Sequence, residues 1–181
     1  MVKKDLRKQL ILCGFMGTGK TVVGENLAVR LGRRFIDTDR LIAQQAGCTI
    51  AEIFETRGES HFRDLETEVI RGLLADRPGS LVVATGGGAL IRAENCRMLR
   101  EMGPLILLRA FTGALVRRIR AQGGRPLLAG SKYPKQTIEA LLAERAEFYS
   151  VCDYHFDTTG KTVDRVASEI IRTLDLEAKK K

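Results

Sequence analysis

Residues Gly14 to Thr21 read Gly-Phe-Met-Gly-Thr-Gly-Lys-Thr, the spacing Gly-x-x-x-x-Gly-Lys-Thr. Its glycines let the backbone fold back with several N–H groups turned into one concave nest, a form matched to a polyphosphate. A helix beginning near Gly19 adds the positive end of its dipole. In that setting Gly17, Thr18 and Gly19 cradle phosphate through the backbone, Lys20 reaches the outer phosphates, and the Thr21 hydroxyl ligates Mg²⁺. The motif requires a strand before it and a helix after it. Leu10-Ile11-Leu12-Cys13 and the helical spacing of Val23, Leu27 and Leu31 supply both. A dinucleotide loop competes, because Asp37 and Asp39 lie about 20 residues downstream. It needs a third glycine where Val22 stands, and fails there.

Six further places carry residue types suited to chemistry at such a loop. Asp37-Thr38-Asp39 puts two carboxylates just beyond an apolar stretch, one able to serve a metal shell and the other a substrate hydroxyl. A helix cap is the competing reading, since Asp caps well and Leu41 and Ile42 follow. Arg63 and Glu66 are three apart on a helical stretch, so the carboxylate can orient the guanidinium. Gly86-Gly87-Gly88 directly follows a buried strand, where bare backbone suits the close approach of a ligand. Between Ala121 and Tyr133 the hydrophobic pattern stops. Glycines there flank a polar segment with a central Arg125, a composition that fits a closing lid and also a plain surface loop. Arg145, late in the next helical stretch, would allow two arginines to grip one small carboxylate. The turn Asp157 to Lys161 is suited to packing against a base, with Lys161 over it.

The elements that must position these residues alternate between strand-like and helical patterns. Strands are expected at Gln9 to Cys13, Arg34 to Ile36, Leu81 to Ala84, Leu105 to Leu108 and Tyr154 to Phe156. Such alternation predicts a parallel sheet with helices on both faces and ligands beyond the carboxyl ends of its strands. Gly32 is placed to end the first helix, Thr49 to Glu52 has capping-box spacing at the head of a helix with Ile50, Ile53 and Phe54 as its buried stripe, and the next helix is expected at about Glu59 to Leu74. Residues 93 to 121 read as helix, strand and helix, with no chemistry assigned to them. Helices are also expected at Pro134 to Ser150 and Val163 to Leu174.

At 181 residues, 44% hydrophobic and 29% charged, the chain fits one soluble domain. No apolar run approaches the ~20 residues of a membrane span, and the charged start does not read as a leader, so a cytoplasmic protein is expected. The spacings of Cys13, Cys48, Cys96 and Cys152 match neither a disulfide framework nor a zinc site. The net charge is +8, of which residues 1–8 contribute +3 and residues 177–181 contribute +2. The body therefore keeps only a small positive excess, suited to anionic substrates, and no nucleic-acid partner is expected.

Taken together these residues resemble shikimate kinase, in the small-molecule branch of the P-loop kinases. The resemblance runs from about Gln9 to Leu174. It rests on the loop Gly14 to Thr21, Asp37-Thr38-Asp39, Phe62-Arg63-Asp64-Leu65-Glu66, Gly86-Gly87-Gly88, Arg125-Pro126-Leu127-Leu128, and Glu144-Arg145 followed by Tyr149. Thr21 stands where many members have serine, which keeps the hydroxyl. The resemblance implies a three-layer α/β P-loop fold with five parallel strands in the order 2-3-1-4-5 and a mobile lid at about 122–133, all in one domain over 1–181. It also implies transfer of the γ-phosphoryl group of ATP to the 3-hydroxyl of shikimate by a monomer using Mg²⁺. By similarity Asp39, Arg63, Gly87 and Arg145 bind shikimate, the two arginines taking its carboxylate. Thr21 and Asp37 serve Mg²⁺, Lys20 and Arg125 the transferring phosphate, and Lys161 the adenine side, with Lys20, Asp39 and Arg125 as the catalytic groups. Two rivals share parts of the pattern: another small-metabolite or nucleoside kinase, and a non-catalytic nucleotide sensor or RNA-binding module.

Overall fold

The computed structural model describes residues 9–76, 79–121 and 134–176. In chain order the elements are β1 (Gln9–Cys13), α1 (Lys20–Leu31), β2 (Arg34–Asp37), α2 (Thr38–Ala46), α3 (Ile50–Asp76), β3 (Leu81–Ala84), α4 (Ala93–Met102), β4 (Leu105–Arg109), α5 (Thr112–Ala121), α6 (Pro134–Ser150), β5 (Tyr154–Asp157) and α7 (Val163–Thr173). The strands form one parallel sheet in the order β2-β3-β1-β4-β5. This is the expected topology, with β2, β4 and β5 each reaching one residue further than their apolar runs.

The centre of the sheet is apolar on both faces because helices cover both. Along β1, Leu10 and Leu12 point into a core shared with α1 and α7, while Ile11 and Cys13 point into the core under α3 and α4. All four are 0–1% exposed. Burying a side chain of this size contributes about 1.5–3 kcal/mol, so the three middle strands fix the layering. A third, smaller cluster joins Phe15 of the phosphate loop to Leu115 and Ile119 of α5 and Ile138 of α6.

Local signals explain the ends of the elements. Gly32 closes α1 at φ 62°, and its N–H donates to the carbonyls of Ala28 and Val29. The Thr49 hydroxyl accepts from Glu52 N at 3.2 Å and the Glu52 carboxylate accepts from Thr49 N at 2.7 Å, the reciprocal pair expected at the start of α3. The two helices expected between residues 50 and 74 run into each other as α3, with a break at Gly58 (φ 79°, ψ 174°). Among the described residues, no helix is long and apolar enough to cross a membrane.

The register brings the site together. Leu12 and Asp37 both lie level with Ala84, and Cys13 lies level with Leu107. The phosphate loop, the Asp37–Asp39 segment and the triple glycine therefore leave three adjacent strands at the same edge.

Candidate active site

The phosphate loop turns at Gly14 with φ 136°, where a Cβ would collide with the carbonyl oxygen of Leu108. Only glycine allows the chain to leave β1 in this direction. Gly17 (φ 78°) and Gly19 (φ 93°) carry the turn on to the first residues of α1. The Thr18 hydroxyl donates to the Phe15 carbonyl at 2.8 Å and braces the loop from within. The Lys20 ammonium folds across it, donating to the carbonyls of Gly14 (2.8 Å) and Phe15 (3.0 Å).

Asp37 caps α2 and also meets a hydroxyl of the phosphate loop. Its Oδ1 accepts from the backbone N–H groups of Asp39 and Arg40 and caps α2. Its Oδ2 accepts from the Thr21 hydroxyl at 2.7 Å, so a hydroxyl and a carboxylate meet beside the phosphate loop. The neighbouring Thr38 side chain is buried and accepts from Gly86 N at 3.1 Å, which ties α2 to the triple glycine.

One pocket is lined by Lys20, Asp39, Arg63, Gly87 and Arg145, with Ile50, Phe54 and Phe62 as an apolar wall. Solvent is the default for a helical arginine, yet Arg63 is only 8% exposed. Its Nε and Nη2 donate to Glu59 at 3.2 and 2.9 Å, and its Nη1 donates to Glu66 at 2.9 Å. Arg92, which pairs with Asp64 at 2.8 Å, also donates to the Thr67 hydroxyl, and that hydroxyl donates to the Arg63 carbonyl. Arg145 is 6% exposed. It lies over the Phe15 ring, 5.3 Å from the centroid, and its Nη1 donates to the Gly87 carbonyl at 3.3 Å. One turn on along α6, the Tyr149 hydroxyl donates to the same carbonyl at 2.6 Å. Burial pushes the Tyr149 phenol up to about 12.

Sequence reasoning explained Gly86-Gly87-Gly88 by the approach of a ligand; the structure adds the protein's own side chains. A Cβ at Gly86 would stand 2.5 Å from Glu66 Oε1 and 2.8 Å from Asp39 Oδ1. One at Gly88 would stand 2.5 Å from Arg63 Nη2. At Gly87 it would be 3.5 Å from Arg145 Nη1 and from the Gly14 carbonyl. The three bare positions admit three different site groups.

Lys161 stands apart from this pocket. From the turn between β5 and α7 its ammonium meets Glu169 of α7 at 2.6 Å. That turn is tied to the phosphate loop by Arg118, whose Nη1 donates to the Gly17 carbonyl (3.1 Å) and the Thr158 hydroxyl (2.9 Å). Residues 93–121, to which the sequence assigned no chemistry, thus include a side chain that braces the phosphate loop. Arg118 was missed because Arg117, Arg118 and Arg120 look alike in sequence, and only the fold shows which one faces the loop. Arg125 and the expected lid lie outside the described residues.

The shikimate kinase family model matches residues 16–175. A shikimate kinase from Caldanaerobacter subterraneus is 45% identical over 165 residues, covering 91% of this chain and 95% of the relative. Another from Geobacter metallireducens is 45% identical over 168 residues, covering 93% and 92%. A solved shikimate kinase from Acinetobacter baumannii in complex with shikimate is 36% identical, with a TM-score of 0.86 over 92% of each chain. The chain belongs to the shikimate kinase family and is an ATP-dependent kinase.

Proposed function

We propose that the enzyme transfers the γ-phosphoryl group of ATP to the 3-hydroxyl of shikimate, with Asp39, Arg63, Gly87 and Arg145 holding the acceptor. The observation that carries this reading is the meeting of one carboxylate and two arginines in a pocket that also receives Lys20. A guanidinium has five N–H donors. Glu59 and Glu66 take three of those on Arg63, and the remaining two, one on each terminal nitrogen, suit a substrate carboxylate. Arg145 offers a second cation from α6, and the apolar wall suits the face of a small ring.

The phosphoryl side is assigned to Gly17, Thr18, Gly19 and Lys20, with Arg125 of the segment between α5 and α6 and with Lys161 toward the adenine. Thr21 and Asp37 present hard oxygen donors side by side, which fits Mg²⁺. Among the described residues no cluster of three or more His, Cys, Asp or Glu could form an all-protein cage, in keeping with an ion held by one or two protein groups and phosphate oxygens. When bound, Mg²⁺ supplies charge neutralisation at those oxygens. The acceptor hydroxyl oxygen bonds to the γ phosphorus as the β–γ bridging P–O bond breaks, ADP leaves, and the hydroxyl proton passes to Asp39. Positioning and charge stabilisation account for most of such a rate.

The test is a coupled assay of ATP consumption with Mg²⁺ and shikimate, gluconate or nucleoside monophosphates in parallel. Turnover is expected with shikimate, and Lys20→Ala should lower it by about 10²-fold, as for other charge-stabilising groups. Arg63→Ala should raise the shikimate KM far more than it lowers kcat. Turnover with a nucleoside monophosphate and none with shikimate would reject this acceptor.

A further inference from the structure

Glu66 has no exposed surface, and its two oxygens are in different situations. Oε2 accepts from Arg63 Nη1 at 2.9 Å, whereas Oε1 is buried with no hydrogen-bond partner. That oxygen converges with Asp39 Oδ1 on one point beside Gly86, so the two lie within about two hydrogen-bond lengths of each other. We propose that Glu66 carries a proton in the working enzyme and acts, as a neutral acid, as a positioning residue that accepts from Arg63 through Oε2 and donates to Asp39 through Oε1. This rests on the reading that Arg63 grips the acceptor's carboxylate and Asp39 faces its hydroxyl.

Charge balance around the pocket supports the proton. Glu66 is faced by Arg63 and Glu59 from its own helix, by Asp39 from α2, and by Arg92 at the head of α4. Arg92 is already paired with Asp64. Arg145 and Lys20 line the same pocket from α6 and α1. With Glu66 ionised, Arg63 would be held between two carboxylates while a substrate carboxylate approached it. With Glu66 neutral, Arg63 keeps only the solvent-facing Glu59 as a charged partner and retains its positive field toward the pocket. Two acids this close, one of them without solvent, do not readily both ionise. Burial pushes the Glu66 carboxyl up, Arg63 pulls it back, Asp39 pushes it up again and Arg92 pulls it down, leaving it raised from its ordinary value. A proton donated to Oδ1 also holds Asp39 in one orientation.

Glu66→Gln is the deciding variant, because an amide copies the neutral acid: its oxygen accepts from Arg63 and its N–H donates to Asp39. At about pH 7 its kcat and shikimate KM should stay within about threefold of wild type, while Glu66→Ala, which strands a buried donor of Arg63, should raise KM about tenfold or more. The wild-type KM should climb on the alkaline side as Glu66 loses its proton, and that climb should be absent in Glu66→Gln. Should Glu66→Gln be as impaired as Glu66→Ala, the charge is what matters and the proton is overturned. Carbon-13 NMR of labelled glutamate carboxyls reads the wild type without any substitution. One resonance titrating well above the rest supports the proposal, and all titrating in the ordinary range overturns it. An enzyme that is active and Arg63-dependent yet fails these tests loses only the proton; one whose shikimate KM ignores Arg63→Ala loses the underlying reading and the proposal with it.

Discussion

Gly88 gives way to a guanidinium. Its missing Cβ would stand 2.5–2.7 Å from the terminal nitrogens and central carbon of Arg63, a group pinned by Glu59 and Glu66. Gly88→Ala should therefore move Arg63 without unfolding the protein, since the far end of a long side chain can shift where backbone cannot. The expected result is a shikimate KM raised about tenfold with an unchanged circular dichroism spectrum. An unaltered KM would show that Arg63 tolerates displacement. Tyr149 makes a different kind of prediction. Its phenol titrates at about 12 in the folded protein against about 10 when unfolded. The stability it contributes is fully present below about pH 10 and is lost as pH rises toward about 12, about 2–3 kcal/mol across the window. Tyr149→Phe should cost about 1 kcal/mol through its lost hydrogen bond to Gly87 and should lack this alkaline loss. Urea midpoints measured through that window decide it; equal alkaline losses in both proteins would refute the assignment. The same scale shows what sequence could resolve. Residue type and spacing were enough to mark the phosphate loop and Lys20, whereas Asp39, Arg63 and Arg145 were drawn together by the family resemblance, since a helix cap or a solvated arginine explains such residues one at a time. Type and spacing could not separate the two readings of Asp37, because one oxygen caps α2 while the other meets Thr21.

At the scale of elements, α1 lies against the sheet only because Gly24 is bare. A Cβ there would stand 2.5 Å from the Phe35 ring and 3.1 Å from Leu12. Gly→Ala inside a helix ordinarily stabilises by about 1 kcal/mol through propensity. Here the overpacking of ring and strand, about 1–3 kcal/mol, opposes and outweighs it. Gly24→Ala is therefore expected to destabilise, read as a lower midpoint of chemical denaturation with an unchanged slope. A stabilised variant would mean that α1 can ride outward freely. The elements themselves were largely legible: buried strands between helices read as apolar runs, and the caps at Gly32 and Thr49 carry their own residue signatures. Two things were not. The carbonyls at β-strand ends pair beyond the apolar run, which lengthened β2, β4 and β5 by one residue each. The face of α5 that carries Arg118 to the phosphate loop is set by tertiary packing of Leu115 and Ile119 against Phe15, which no local pattern encodes.

For the molecule as a whole, alternation of strands and helices predicts a parallel sheet but leaves the strand order open; the order came with the family resemblance. That order matters because it sets β1 between β3 and β4, so the phosphate loop borders the triple glycine on one side and Leu108 on the other. In the proposed site Gly87 is the joint between the two halves: a Cβ there would be 3.5 Å from Gly14 O and Met16 N on the side assigned to the nucleotide and 3.5 Å from Arg145 Nη1 on the side assigned to the acceptor. Each ligand should therefore stabilise the whole fold, since each binds across elements that separate on unfolding. At a hundredfold excess over Kd the gain is about 2.7 kcal/mol. For a chain of this size each kcal/mol raises Tm by about 2–4 °C, so a thermal shift of several degrees is expected from shikimate and from a non-hydrolysable ATP analogue with Mg²⁺. Arg145→Ala separates the two half-sites. Its guanidinium reaches Gly87 and the Phe15 ring and lines the pocket proposed for the acceptor, so the variant should lose most of the shift from shikimate and keep the shift from the analogue. Loss of both shifts would make Arg145 a brace of the phosphate loop through Phe15, and retention of both would remove it from the acceptor site.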